Sequence, residues 1–166
     1  MIRRRSLSPE QALQKLRHYC SYQERCHQEV REKLYSFGLH KPDVEIAIAT
    51  LIQEDRLNEE RFALLFAGGR FRLKCWGKIK IRYELRQKQV SDHCIEKALA
   101  AIAEADYTQI LIEQATRKWE ALAAEPDRFL RRQKVRDYLV QKGYEPDGIA
   151  AALVTITTTA DPSDPE

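Results

Sequence analysis

The chain has 166 residues, a formal net charge of +3, four cysteines, six glycines and six prolines. That length suits one compact domain or a few small helical modules. With no run of about 18 apolar residues, no apolar stretch behind the basic start MIRRR and no CxxC pair, the composition points away from a membrane protein, a secreted protein and a disulfide scaffold, and towards a cytoplasmic chain with free thiols.

From the N-terminus, residues 1–7 read as a flexible basic segment. Helical periodicity begins at 9–22, where Ala12, Leu13, Leu16 and Tyr19 share one side. A helix–turn–helix pattern follows in VREKLYSFGLHKPDVEIAIATL (30–51). A helix predicted over 59–72 carries Phe62, Ala63, Phe66 and Phe71, with Asn58 as its N-cap. A second helix–turn–helix pattern is IRYELRQKQVSDHCIEKALAAI (81–102). The spacing then predicts a helix over 107–122 with Ile110, Leu111, Ala115 and Trp119, and a third pair in VRDYLVQKGYEPDGIAAALVTI (135–156). The end TTTADPSDPE lacks apolar periodicity, and a disordered tail is expected over 158–166.

The three helix–turn–helix patterns are copies of one another, offset by 51 and then 54 residues. Each opens on a β-branched residue and an arginine (Val30-Arg31, Ile81-Arg82, Val135-Arg136), with leucine three residues on at Leu34, Leu85 and Leu139. Each second helix repeats an apolar set, Val44/Ile48/Leu51, Ile95/Leu99/Ile102 and Ile149/Leu153/Ile156, whose spacings of four and three fall on one helical face. Gly38 and Gly143 sit just past the first helix of their pairs, where a left-handed C-cap is needed; Gln89 takes that place in the middle pair, at some expense in stability. Pro42 and Pro146 suit the first turn of the next helix, and Ser91 or Asp92 can cap its counterpart. The expected fold is therefore all-α: three tandem three-helix modules (8–57, 58–105 and 106–157) stacked into an elongated, curved array, since a unit of roughly 50 residues buries little surface alone.

Charge is concentrated in one place. Between Arg70 and Lys88, eight basic residues (Arg70, Arg72, Lys74, Lys78, Lys80, Arg82, Arg86 and Lys88) stand against one acid, Glu84, a local +7 on a remainder of −4. On a helix over 78–88, Ile81 and Leu85 form the buried seam, Lys78, Arg82 and Arg86 line up four apart beside it, and Glu84 can pair with Lys80 and Lys88. A solvated helix face accounts for such a run; so does a surface facing phosphates or carboxylates, and the continuation through Arg70, Arg72 and Lys74 favours the second. Trp76 is either a core plug holding the loop or a ring that stacks on a base or packs on a partner. The recurrent Arg31, Arg82 and Arg136 suit packing or ion pairing. A smaller cluster, Arg128, Arg131, Arg132 and Lys134, includes two arginines at a helix start, where positive charge opposes the macrodipole; that points to a second contact.

No catalytic or cofactor motif accompanies these features: there is no Walker A loop, H-E-x-x-H, G-x-S-x-G or Rossmann glycine run. His18, Cys20, Cys26 and His27 fit no common zinc spacing, and the acidic Glu54, Asp55, Glu59 and Glu60 belong to different elements. No catalytic residue, metal site or cofactor is expected.

Three stretches carry a resemblance to the RecX family of bacterial regulatory proteins. ERCHQEVREKLYSFG (24–38) resembles that family's R-S-x-x-E-L-x-x-K-L-x-x-x-G pattern through Glu29, Lys33, Leu34 and Gly38; LNEERFA (57–63) is similar to its L-N-D-x-x-F-A; and residues 76–99 resemble its G-x-x-x-I-x-x-E-L-x-x-K-G-I segment through Gly77, Ile81, Glu84, Leu85 and Lys88. Cys26 stands where the family favours serine, Glu59 where it has aspartate and Gln89 where it has glycine; these departures touch helix ends and remove no positive charge. The resemblance implies a non-enzymatic, monomeric modulator of the RecA recombinase. Such a protein lies along the RecA filament on single-stranded DNA, turns its basic face to acidic side chains of RecA or to DNA phosphates, and restrains ATP hydrolysis, strand exchange and coprotease activity in DNA repair and the SOS response. The alternative is a general helical nucleic-acid-binding module without RecA specificity.

Overall fold

The computed structural model describes residues 6–160. Among these there are nine helices and no strand: α1 (Pro9–Tyr22), α2 (His27–Ser36), α3 (Lys41–Gln53), α4 (Glu59–Lys74), α5 (Lys78–Gln87), α6 (Asp92–Ala100), α7 (Glu104–Ala121), α8 (Arg128–Lys142) and α9 (Pro146–Ala160). The all-α expectation holds, and in chain order the helices form three trios. None is long and apolar enough to cross a membrane.

The helices divide between two compact units, residues up to 66 with 85–98, and 67–84 with 99 onward. This partition differs from module cuts near 57 and 105, because its boundaries fall inside α4, α5 and α6. In the first unit α1, α2 and α3 pack on one another. Their core is Ala12, Leu16, Val30, Leu34, Val44, Ile48 and Leu51, the repeat seams read from the spacing, joined by Leu39 and Leu57. Leu13 and Tyr19 lie at its edge, partly buried. In the second unit α7, α8 and α9 pack together around Leu111, Ala115, Trp119, Val135, Leu139, Ile149, Leu153 and Ile156.

Helix ends follow local chemistry. Ser8 and Gln11 close a reciprocal capping box on α1. Asn58 accepts the Arg61 N–H at 2.9 Å and starts α4. At α2 the Glu29 carboxylate reaches back to the Cys26 N–H at 2.9 Å, so half of the box survives without serine. Leu7 is not loose: its N–H donates to the Phe37 carbonyl at 2.9 Å. The expected tail begins too early, since α9 runs to Ala160 and the hydroxyls of Thr157, Thr158 and Thr159 bond back to carbonyls of the preceding turn. The rest of both expected flexible ends, 1–5 and 161–166, lies outside the described residues.

Gly38, Gly143 and Gln89 all take positive φ, +85°, +93° and +58°. Gln89 therefore pays the left-handed penalty that glycine escapes. Gln89→Gly is expected to raise stability by about 1 kcal/mol, read by urea denaturation; an unchanged or lower midpoint would show that the Gln89 side chain contributes more than its backbone conformation costs.

Candidate partner-binding surface

The second unit holds most of the basic segment, on the end of α4 and the start of α5. α4 closes on Cys75, left-handed at φ +55°, with the Trp76 N–H returning to the Arg70 carbonyl at 3.3 Å. Gly77 then precedes α5 and has no side chain with which to cap it. Tertiary partners take over: the Gly77 N–H donates to the Lys142 carbonyl (2.7 Å), the Lys78 N–H to the Tyr107 hydroxyl (2.9 Å) and the Ile79 N–H to the Gly143 carbonyl (3.0 Å). The amide-rich start of α5 thus meets the carbonyl-rich end of α8, and the two helix dipoles are joined head to tail. Two more bonds fasten the loop: the Tyr144 hydroxyl donates to the Cys75 carbonyl (2.7 Å) and Lys142 Nζ to the Lys74 carbonyl (3.0 Å). The Tyr107 hydroxyl itself donates to Glu145 Oε2 at 2.6 Å, and burial, with that bond, pushes its phenol well above the usual tyrosine range.

On this platform Trp76 is half-buried, with cations around its ring: Lys80 Nζ lies 4.5 Å from the centroid, the Arg70 guanidinium 5.4 Å and Lys74 Nζ 5.5 Å. Trp76 is neither fully buried nor fully exposed: its ring sits among the cations of the loop and still reaches the surface. Arg72 and Lys74 are exposed, Lys80 and Arg82 partly so. Exposed apolar side chains interrupt the charge: Leu73 (85% exposed), Tyr83 (60%) and Ile79 (44%). Periodicity could have found two of them, since Ile79 and Tyr83 are apolar, four apart, and off the Ile81/Leu85 seam.

The continuous row Lys78/Arg82/Arg86 is not a bare cationic stripe. Lys78 is largely enclosed, 17% exposed, with its ammonium 2.9 Å from Glu104 and 4.6 Å from the Tyr107 ring centroid. In the first unit, Arg86 pairs with Asp92 at 3.1 Å and Lys88 with Glu29 at 3.4 Å. Glu84 does not take Lys88, whose ammonium goes to Glu29, and Lys80 turns to Trp76. These partners lie 26, 6 and 59 residues away, beyond the reach of helical spacing.

The second cluster also turns inward. Arg131 stacks on Trp119 at 3.9 Å, and its Nε donates to the Trp119 carbonyl at 3.0 Å with Nη2 on the same oxygen. A cation that opposes the dipole of α8 thus caps the open carbonyl end of α7, which explains an otherwise unfavourable helix start. Lys134 pairs with Glu125 at 2.7 Å and Arg128 reaches the Thr157 carbonyl at 3.4 Å, while Arg132 stays half-buried. Of the recurrent arginines, Arg31 pairs with Glu45 at 3.5 Å.

Known proteins place the chain. A family model described as RecX, second three-helix domain, matches residues 58–99, and one described as RecX, third three-helix domain, matches 104–153. The chain belongs to the RecX family. The Regulatory protein RecX of Prosthecochloris aestuarii is 32% identical over 140 residues, covering 84% of this chain and 89% of that one. The Salmonella typhimurium RecX is 36% identical over 133 residues, covering 74% and 77%. In fold, a crystal structure of RecX from Lactobacillus salivarius superposes with a TM-score of 0.82 at 21% identity, covering 90% of this chain and 96% of that one. A second, titled as regulatory protein RecX, gives 0.78 at 22% identity, covering 90% and 71%. RecX relatives are named as regulatory proteins, and this RecX-family chain carries a basic, partly apolar surface around Trp76.

Proposed function

We propose that the protein modulates RecA: a monomer that binds the RecA–DNA filament in the cytoplasm and restrains ATP hydrolysis, strand exchange and coprotease activity without catalysis of its own. The observation that carries this reading is the mixed surface of the second unit, where Arg72, Lys74, Lys80 and Arg82 share one segment with exposed Leu73, Ile79 and Tyr83. Phosphates alone would be served by cations; bulky apolar side chains left in water suit a protein face with acidic residues around an apolar centre. Family membership supports the same partner.

The test is RecA ATP hydrolysis on single-stranded DNA with increasing amounts of the protein. Hydrolysis should fall as the protein saturates the filament, and more steeply at low salt. Undiminished hydrolysis at saturation would remove the proposal. Direct binding to DNA-free RecA separates it from a general nucleic-acid module, which should show none.

A further inference from the structure

The first unit contains a groove that neither the basic segment nor the repeat pattern announces. It lies between α1 and α2, encloses about 660 Å³, and is walled by Lys15, Tyr19, Tyr22, Arg25, Lys33 and Phe37 together with His18 and Gln14. No carboxylate lines it among the described residues. Several cations elsewhere in this unit are matched: Arg17 with Glu54 (2.6 Å), Arg61 with Glu24 (2.5 Å), Lys88 with Glu29 (3.4 Å) and Lys97 with Glu60 (2.7 Å). Lys15, Arg25 and Lys33 have no such carboxylate partner among the described residues; Lys15 is exposed, while Arg25 and Lys33 lie over aromatic rings and Arg25 Nε also donates to the Tyr19 carbonyl at 3.4 Å. The Arg25 guanidinium lies 3.8 Å from the Tyr19 ring centroid, and Lys33 Nζ lies 5.6 Å from both the Tyr19 and Phe37 centroids. At the rim Tyr22 is 79% exposed, a flat apolar face left in water.

We propose that the groove between α1 and α2 is a binding site for single-stranded nucleic acid, in which Lys15, Arg25 and Lys33 take backbone phosphates and Tyr22 stacks on a base. Cations beside an open aromatic face are the two elements of sequence-tolerant single-strand binding. An acidic peptide would use the cations but would find no edge strand, because both walls are helices whose backbone groups are already bonded. The site goes beyond the RecA reading: it needs no RecA and lies apart in sequence from the 70–88 segment.

The experiment is fluorescence anisotropy of labelled oligothymidylate of about 12 nucleotides with the full chain, at low salt and without RecA. Lys15→Glu with Lys33→Glu should weaken binding at least tenfold and flatten its salt dependence. Tyr22→Ala should weaken it roughly tenfold, and an abasic strand of equal length should bind the wild-type chain correspondingly less. These side chains are exposed, so circular dichroism should be unchanged. Arg72→Glu with Lys74→Glu should leave oligonucleotide affinity within about twofold even if RecA inhibition is lost, which keeps the two proposals separable. Four results would overturn the site: no binding by the wild type, full binding by the double charge reversal, equal binding of abasic and thymidylate strands, or tighter binding of polyaspartate than of thymidylate at matched charge, which would make it an acidic-protein site.

Discussion

Gly77→Ala is expected to destabilise the protein by about 4 kcal/mol, a large fraction of the roughly 5–15 kcal/mol typical of a folded domain. The cause is contact, not backbone strain, since Gly77 is not among the positive-φ residues. A methyl group there would fall on the Gly143 carbonyl and the Tyr144 amide. Moving α5 away to make room breaks the Gly77–Lys142 and Ile79–Gly143 hydrogen bonds and strains those from Tyr144 to Cys75 and from Lys142 to Lys74. Overpacking contributes roughly 1–3 kcal/mol and each stranded buried amide about 1 more. Gly69→Ala is the control: Gly69 lies inside α4 with nothing within 4 Å of an added methyl, so helix propensity should stabilise by about 1 kcal/mol. Urea denaturation should therefore move in opposite directions for the same chemical change. If Gly77→Ala unfolds at the wild-type midpoint, the contact between the start of α5 and the end of α8 does not hold the unit together.

Reversing Arg72, Lys74 and Lys80 to Glu should weaken RecA inhibition about a hundredfold while leaving the helical spectrum intact, taking each exposed charge contact as worth somewhat less than a tenfold change in affinity. Lys78 is deliberately spared. Its ammonium pairs with Glu104 and lies over Tyr107, so reversing it would perturb folding and confuse the two effects. Arg86 is spared for a similar reason, its pairing with Asp92. Leu73→Ser supplies the second arm: 85% exposed, Leu73 supports no core, so stability should hold while inhibition falls about tenfold if a protein surface buries it. Full inhibition by the triple variant would take this surface out of the mechanism. Loss with the triple variant but none with Leu73→Ser would move the contact from RecA to DNA phosphates.

Much of the fold was legible because helix periodicity and capping are local. The seam residues Leu34, Leu85 and Leu139 are all fully buried, as are Ile81, Val30 and Val135. The left-handed Gln89 followed from its place in the repeat, and Asn58 from its position before an apolar run. The candidate surface was legible as a concentration of charge but not as a geometry. Spacing put Lys78, Arg82 and Arg86 in one line, yet Lys78 and Arg86 are held by charged partners that the helix itself does not supply. The groove on α1 and α2 escaped notice because Lys15, Arg25 and Lys33 are scattered in sequence and gather only when two helices pack.

By itself, then, the order of residues determined the nine helices of the described residues, their buried faces and most of their ends, because each depends on neighbours within a turn or two. Tertiary structure alone decided which cations face water and which are neutralised, that Arg131 serves the far end of another helix, and that Gly77 must have no side chain. Those outcomes depend on groups separated by 6 to 69 residues being brought within hydrogen-bond range, and no local periodicity encodes that distance.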